Sequence, residues 1–157
     1  MKKSLLKSFR HAFSGLFYTI MNEKNFRIHI IAIVYTMTFS ILYGLERVEY
    51  VILILIFVLV LITEIINTSI ESSINLKVAV FDKYAKIAKD TAAAAVLITA
   101  AAAVATAVVL FSDVEKLMNV FSVITSLPGL PIFLCSLPFA FLFIFGIKEV
   151  KNKSDKK

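Results

Sequence analysis

Four long apolar stretches limit what this chain can fold into. They cover residues 28–45, 49–70, 91–111 and 127–147, and each is close to the ~20 residues that a helix needs to cross the hydrocarbon layer of a membrane. The chain is 59% hydrophobic over 157 residues, which argues against an ordinary soluble domain of this size. We therefore expect an all-α integral membrane protein.

A different helical pattern precedes these stretches. Between Leu5 and Ile20 the apolar residues recur every three or four positions, while Lys7 and His11 lie on the other face. This pattern predicts an amphipathic helix that lies on the membrane surface. The expected organisation is a surface helix with a basic N-terminus (1–27), a three-helix core (28–111), an outer connecting segment (112–126), a fourth span (127–147) and a basic tail (148–157).

The basic residues predict how the chain is oriented. Six Lys and Arg residues precede the first stretch, four lie between the second and the third, and five follow the fourth, whereas the two remaining connections carry one each. Because basic residues favour the cytoplasmic side, both termini are expected there. The net charge of +6 follows the membrane and not a nucleic-acid-binding motif, so we expect no nucleic-acid partner.

A polar stripe interrupts the second apolar stretch near its expected cytoplasmic end. On a helix, Glu71 lies about 20° around and ~10 Å along from Glu64, and Asn67 and Asn75 fall on the same side. Acidic residues within a spanning segment are functional candidates by default. Each of these residues also has a purely structural interpretation. Glu64 would then form an ion pair with Lys or Arg, and Glu71 and Asn75 would be solvated residues at the end of a helix.

These residue types permit phosphoryl transfer to a lipid hydroxyl. Glu64, the deeper acid, suits removal of a proton, and Glu71 with Glu23 suits Mg²⁺, which takes a few carboxylate oxygens together with nucleotide phosphates. Lys89, assisted by Lys7 or Arg10, would neutralise phosphate charge. Glu23 could instead form an ordinary helical pair with Arg27, four residues later.

Three motifs in this chain resemble the small prokaryotic diacylglycerol kinase family. They are Asn-Glu-Lys-Asn-Phe-Arg-Ile-His at 22–29, Glu-Ile-Ile-Asn-Thr-Ser-Ile-Glu at 64–71 and Ala-Lys-Ile-Ala-Lys-Asp at 85–90. The resemblance implies a surface helix and three spans per chain, a homotrimer, and the use of ATP with Mg²⁺ at cytoplasmic sites shared between chains. Within the family, Asn-Phe-Arg-Ile-His at 25–29 and Ala-Lys-Ile-Ala-Lys-Asp at 85–90 look more like the Gram-positive branch, whose members are similar to undecaprenol kinases, than like the Gram-negative diacylglycerol kinases.

The resemblance also implies roles for individual residues. Glu64 would be the catalytic base, and Glu23 and Glu71 would hold the metal. The residues expected to bind ATP are Glu23, Lys7, Asn67, Glu71, Asn75, Lys89 and Asp90. The residues expected to bind the lipid substrate are Asn25, Phe26, Arg27 and Glu64.

The chain departs from the family pattern at some positions. Asn75 stands where the family usually has aspartate, Ala94 stands where the Gram-positive branch commonly has glycine, and the region beyond Ser112 has no counterpart in the shortest members.

Two other functions stay in competition with a lipid kinase. One is an inactive relative that serves as a membrane scaffold, and the other is a proton- or cation-coupled carrier with Glu64 and Glu71 as relay groups.

Overall fold

The computed structural model describes residues 2–77 and 82–147, and within them the chain is helical without strands. This confirms the all-α membrane fold. The helices in chain order are α1 (Lys2–Asn22), α2 (Lys24–Tyr43), α3 (Arg47–Lys77), α4 (Lys83–Leu110), α5 (Val114–Thr125) and α6 (Gly129–Phe145).

Three helices, α2, α3 and α4, are long and apolar enough to cross a membrane. Each extends beyond the apolar stretch that predicted it: α2 begins at Lys24, α3 continues to Lys77 and α4 begins at Lys83. Polar residues such as Lys and Glu are good helix formers, so a helix does not end where its apolar run ends. All three extensions lie at the end of the bundle that carries the predicted site.

Local signals fix several helix ends. The side chain of Asp82 accepts a hydrogen bond of 2.8 Å from the backbone N–H of Ala85 and caps the N-terminus of α4, as aspartate commonly does at this position. Gly44 ends α2 at a φ of 74°, where its N–H bonds the carbonyl of Ser40. This left-handed conformation favours glycine because it has no Cβ.

The fourth apolar stretch forms α6, which meets α5 at an angle of 81°. The two count as a fourth span only if the bent pair is taken as one span, since the 17 residues of α6 extend only ~25 Å. Tyr35 Oη and Ser136 Oγ lie 2.8 Å apart, so the middle of α6 packs against the middle of α2. The basic tail, residues 148–157, lies outside the described residues.

Helix α5 closes the end of the bundle opposite the predicted site. Val120 on α5 packs in one buried cluster with Tyr43, Leu45 and Leu53, and Phe111 stands edge-on to the Tyr43 ring at a centroid distance of 5.1 Å. Burial of these side chains holds the connections between α2, α3 and α5 together.

Most of the large apolar side chains of helix α1 are exposed. Phe9 and Phe13 are more than half exposed, whereas Thr19, near the C-terminal end of α1, is buried, and α1 contacts both α2 and α3. An exposed apolar face on a helix with a basic opposite face is typical of a helix at a membrane surface. The structure attaches α1 to the bundle by its C-terminal end, and its position on the membrane surface stays a prediction.

Candidate functional site

Glu64 is the most deeply buried charged residue near the predicted site. Its side chain is 1% exposed, and within the described residues neither of its carboxyl oxygens has a hydrogen-bond partner. A buried polar group without a partner is expensive, so a carboxyl group at this position calls for a functional explanation. The ion pair with Lys or Arg considered above is not what holds Glu64 in the described part of the chain.

Asn67 and Glu71 continue the polar face of α3 one and two turns beyond Glu64. The Nδ2 atom of Asn67 donates a hydrogen bond of 3.2 Å to Oε1 of Glu71. Asn67 is buried, whereas Glu71 is half-buried, so the stripe passes from the interior to the solvent within two turns. Asn67 therefore orients the shallower carboxylate.

Glu23 joins this stripe from another part of the chain. It is the residue at which the backbone becomes extended between α1 and α2, with φ −103° and ψ 110°. The charges of both Glu23 and Glu71 act on Glu64, so the fold brings three carboxyl groups from two segments into one neighbourhood. We call Glu23, Glu64 and Glu71 the acidic cluster.

Lys89 and Asn75 form a second polar contact, between α4 and α3. The Nζ atom of Lys89 donates a hydrogen bond of 2.6 Å to Oδ1 of Asn75. Asn75 lies one turn beyond Glu71 on α3, so this contact places a cation next to the outer end of the polar stripe. Because asparagine is neutral, this contact does not offset the positive charge of the lysine.

Two other residues predicted to bind ATP lie in more exposed positions. Asp90 forms an ion pair of 3.5 Å with Lys86, four residues earlier, and both side chains are 65% exposed. Such exposed pairs contribute little to stability. Lys7 is exposed on α1, ~22 Å before the C-terminal end of that helix. The structure does not bring Lys7 next to the acidic cluster of its own chain.

The residues at positions 25–27, which were predicted to bind the lipid substrate together with Glu64, differ in their surroundings. Asn25 is exposed and Phe26 is buried to 1% exposure. Arg27 is buried too, and its guanidinium donates hydrogen bonds to the backbone carbonyls of Ile20, Met21 and Ile144, each at 3.0 Å. The substrate-binding role expected for Asn25, Phe26 and Arg27 stays a prediction, and Arg27 already has a structural one.

Sequence reasoning did not single out the threonines around the acidic cluster. Thr68 is buried, and its hydroxyl donates to the carbonyl of Glu64 at 3.0 Å. Thr63 lies beside Glu64 and shares a hydrogen bond of 2.9 Å with Thr99 on α4. Their spacing from Glu64 along α3 could have indicated that they face α4 or the interior.

The donor set can be compared with what a magnesium ion requires. Within the described residues there is no group of three or more His, Cys, Asp or Glu arranged to hold a metal. Mg²⁺ commonly uses only one or two carboxylates and takes its other ligands from water and phosphate. The oxygen donors of Glu23 and Glu71 therefore fit Mg²⁺ that arrives with a nucleotide.

A large cavity lies away from these residues. It has a volume of about 1120 Å³ and is lined mainly by apolar side chains of α2, α5 and α6, among them Tyr35, Phe39, Ile124 and Phe133. No member of the acidic cluster lines it. The chemistry of the candidate site therefore lies at one end of the bundle, outside this cavity.

The sequence of the chain is similar to those of lipid kinases. A family model described as prokaryotic diacylglycerol kinase matches residues 10–111. A diacylglycerol kinase of Synechocystis is 44% identical over 102 residues, which cover 64% of this chain and 58% of that protein. An undecaprenol kinase of Bacillus subtilis is 35% identical over 94 residues, covering 60% of this chain and 76% of that protein.

These similarities cover part of the chain and part of its relatives. The match covers less than two thirds of the Synechocystis protein, and no solved structure matches the chain significantly. The family match ends at Phe111, so α5 and α6 lie outside it, whereas the acidic cluster and the pair formed by Lys89 and Asn75 lie within it.

Proposed function

Because this chain belongs to the prokaryotic diacylglycerol kinase family, we propose that it is a membrane lipid kinase. It transfers the γ-phosphate of ATP to the terminal hydroxyl of undecaprenol, with diacylglycerol as the other lipid to be tested. The observation that carries the proposal is Glu64, a buried carboxyl group with both oxygens unpartnered within the described residues, next to two further carboxylates.

Glu64 acts as the general base. As a carboxylate, Glu64 can take the proton from the lipid hydroxyl as the oxygen attacks. The new bond joins that oxygen to the γ-phosphorus, and the bond between this phosphorus and the bridging oxygen breaks to release ADP. Glu64 then returns its proton to the solvent.

Glu71 and Glu23 are assigned to the binding of the metal ion and the nucleotide. Their carboxylates would hold a Mg²⁺ that enters with ATP, and a metal bound there would supply positive charge to offset that of the phosphates. Asn67 keeps the Glu71 carboxylate oriented through the bond at 3.2 Å. This division of labour, with a deep base and a shallower metal ligand, follows the decrease in burial along α3.

Lys89 supplies a positive charge at the outer end of the stripe. Its partner Asn75 is neutral, so the ammonium group can also attract a phosphate oxygen. Lys7 and Asp90 lie in exposed positions, and their part in ATP binding is proposed only across a subunit boundary. A homotrimer with shared sites, as the family resemblance implies, would supply such a boundary.

The membrane orientation follows from the basic residues. With both termini in the cytoplasm, the acidic cluster lies at the cytoplasmic boundary of the membrane, where ATP is available and a lipid hydroxyl can reach Glu64. The substrate is undecaprenol in our proposal because the motif at 25–29 and the motif at 85–90 resemble the Gram-positive branch. One named relative supports each lipid.

The test is phosphorylation by the purified full-length protein in mixed micelles. The protein is given labelled ATP and Mg²⁺ with undecaprenol or diacylglycerol, and the labelled lipid is measured. We expect faster labelling of undecaprenol. Faster labelling of diacylglycerol would overturn the substrate, and no labelling of either lipid by folded protein would overturn the kinase.

A membrane scaffold is the second candidate, because Asn75 replaces the usual acid of the family and α5 and α6 extend beyond the family match. Binding of Mg-ATP separates the two. The kinase must bind it in micelles, whereas a scaffold need not, so an absence of Mg-ATP binding by folded protein would favour the scaffold.

A further inference from the structure

The C-terminal end of α6 meets the junction between α1 and α2 at a single buried side chain. Arg27, 4% exposed, donates from Nε to the carbonyl of Ile144 on α6 and from Nη1 to the carbonyls of Ile20 and Met21 on α1. The last carbonyls of a helix lack partners within that helix and carry partial negative charge. One guanidinium therefore caps two helices at once.

A second contact strengthens the same corner. The Nζ atom of Lys24 lies 4.3 Å from the centroid of the Phe145 ring, a distance at which an ammonium group and an aromatic face attract each other. Lys24 is the first residue of α2 and Phe145 is the last residue of α6. The end of α6 thus contacts two residues in the first turn of α2, Lys24 and Arg27.

The attachment continues along α2. Besides the hydrogen bond between Tyr35 and Ser136 at 2.8 Å, the Tyr35 ring stands edge-on to the Phe133 ring at 6.2 Å. The order of these contacts, with residue 144 beside residue 27 and residue 136 beside residue 35, makes α6 antiparallel to α2. The position of α6 is therefore fixed in register, and its end cannot slide along α2 without breaking polar contacts.

Glu23 lies inside the corner that these contacts hold. Its N–H donates to the carbonyl of Thr19 at 2.8 Å, and its carbonyl accepts from the N–H of Arg27 at 3.3 Å. The backbone of Glu23 is thus linked to the last turn of α1 and to the residue that binds α6. Arg27 lies one helical turn from Glu23 and is hydrogen-bonded to its backbone. We therefore expect a shift in the position of Arg27 to move the backbone of Glu23.

We propose that α6 positions Glu23 for metal-nucleotide binding by bracing the junction between α1 and α2 through Arg27 and Lys24. The helix lies outside the segment that matches the family, so it adds a support that acts on the shared kinase core. Arg27 is then a positioning residue. This inference rests on the metal-binding role proposed for Glu23.

The test uses two variants of the full chain and one matched control. Phe145→Ala removes the ring under Lys24, and Arg27→Lys keeps the charge but cannot reach all three carbonyls. Phe139→Ala makes the same chemical change on α6 at a side chain that is 74% exposed. All three are compared with the unchanged protein in the same micelles.

The first measurement is amide hydrogen exchange of the junction, residues 19–28, followed by mass spectrometry. Loss of the ring contact should speed exchange there about two- to fivefold, and Arg27→Lys should speed it more, while Phe139→Ala leaves it unchanged. This readout requires no catalysis. Unchanged exchange in Phe145→Ala would overturn the bracing, even if Arg27→Lys does not fold.

The second measurement is binding of Mn²⁺, followed by its electron paramagnetic resonance in the presence of a non-hydrolysable ATP analogue. The Mn²⁺ affinity should fall in parallel with the rise in exchange, and the control should keep its affinity. Faster exchange with unchanged Mn²⁺ affinity would overturn the link to Glu23. An absence of lipid phosphorylation in the unchanged protein that still binds Mn²⁺ would contradict the proposed function and not this inference.

Discussion

Lys89 and Asn75 are joined by a hydrogen bond of 2.6 Å in which only the lysine is charged. This contact connects α4 to α3 at the outer end of the polar stripe. An aspartate at position 75 would turn it into an ion pair with a stronger, charge-assisted hydrogen bond.

Asn75→Asp is therefore expected to stabilise the fold. Because Asn75 is exposed, the gain should be modest, about 0.2–1 kcal/mol, and smaller at high salt. Thermal unfolding in micelles at two salt concentrations measures it. The gain should vanish when Lys89→Met is made in the same chain, and a gain that persists would show that the ion pair is not its source.

Glu64→Gln should abolish lipid phosphorylation. The amide has nearly the shape of the carboxyl group but cannot take up a proton, so the rate should fall by about 10²–10⁴. The labelled lipid phosphate is measured at saturating ATP and Mg²⁺. Glu46→Gln, an exposed position at the other end of the bundle, is the control. Near-normal turnover in Glu64→Gln would remove the base role.

Glu71→Gln should weaken the metal site without removing the base. Glutamine can still accept the hydrogen bond from Asn67, so the change removes charge and keeps the local contact. We expect the Mg²⁺ concentration for half-maximal phosphorylation to rise at least about tenfold, with activity recovered at high Mg²⁺. Glu115→Gln on α5 should leave it unchanged. An unchanged Mg²⁺ requirement in Glu71→Gln would contradict metal binding.

Thr63→Val and Thr99→Val should reveal a small coupling between α3 and α4. Each hydroxyl also bonds a carbonyl of its own helix, so the loss of the shared bond leaves neither hydroxyl unpaired. The coupling energy in a double-mutant cycle should be about 0.6 kcal/mol and at most about 1.7 kcal/mol. Unfolding in micelles gives the values, and Thr106→Val on α4 serves as the control. A coupling near zero would mean that the contact is not formed in the membrane fold.

Hydropathy and helical periodicity were sufficient to predict the helices and the polar face of α3. The reason is that both signals are local: an apolar run of ~20 residues must span or be buried, and residues three, four and seven apart must share a face. The cap at Asp82 was predictable for the same reason, since a cap depends on its own helix.

The junction at Glu23 was not predictable in this way. The surface segment was expected to continue to residue 27, whereas the structure ends α1 at Asn22 and begins α2 at Lys24. Hydropathy locates the hydrocarbon and not the helix boundary. The contact between Arg27 and Ile144 joins residues 117 positions apart, and its acceptor is a backbone atom, so no side-chain pattern indicates it.

The choice of acceptors at Arg27 has an evolutionary consequence. All three are main-chain oxygens, of Ile20, Met21 and Ile144, which every residue type provides. Substitutions at these three positions can therefore accumulate without loss of the hydrogen bonds, provided that both helices keep their ends in place. Bonds of this kind allow the sequence of α6 to vary while its attachment to Arg27 is kept.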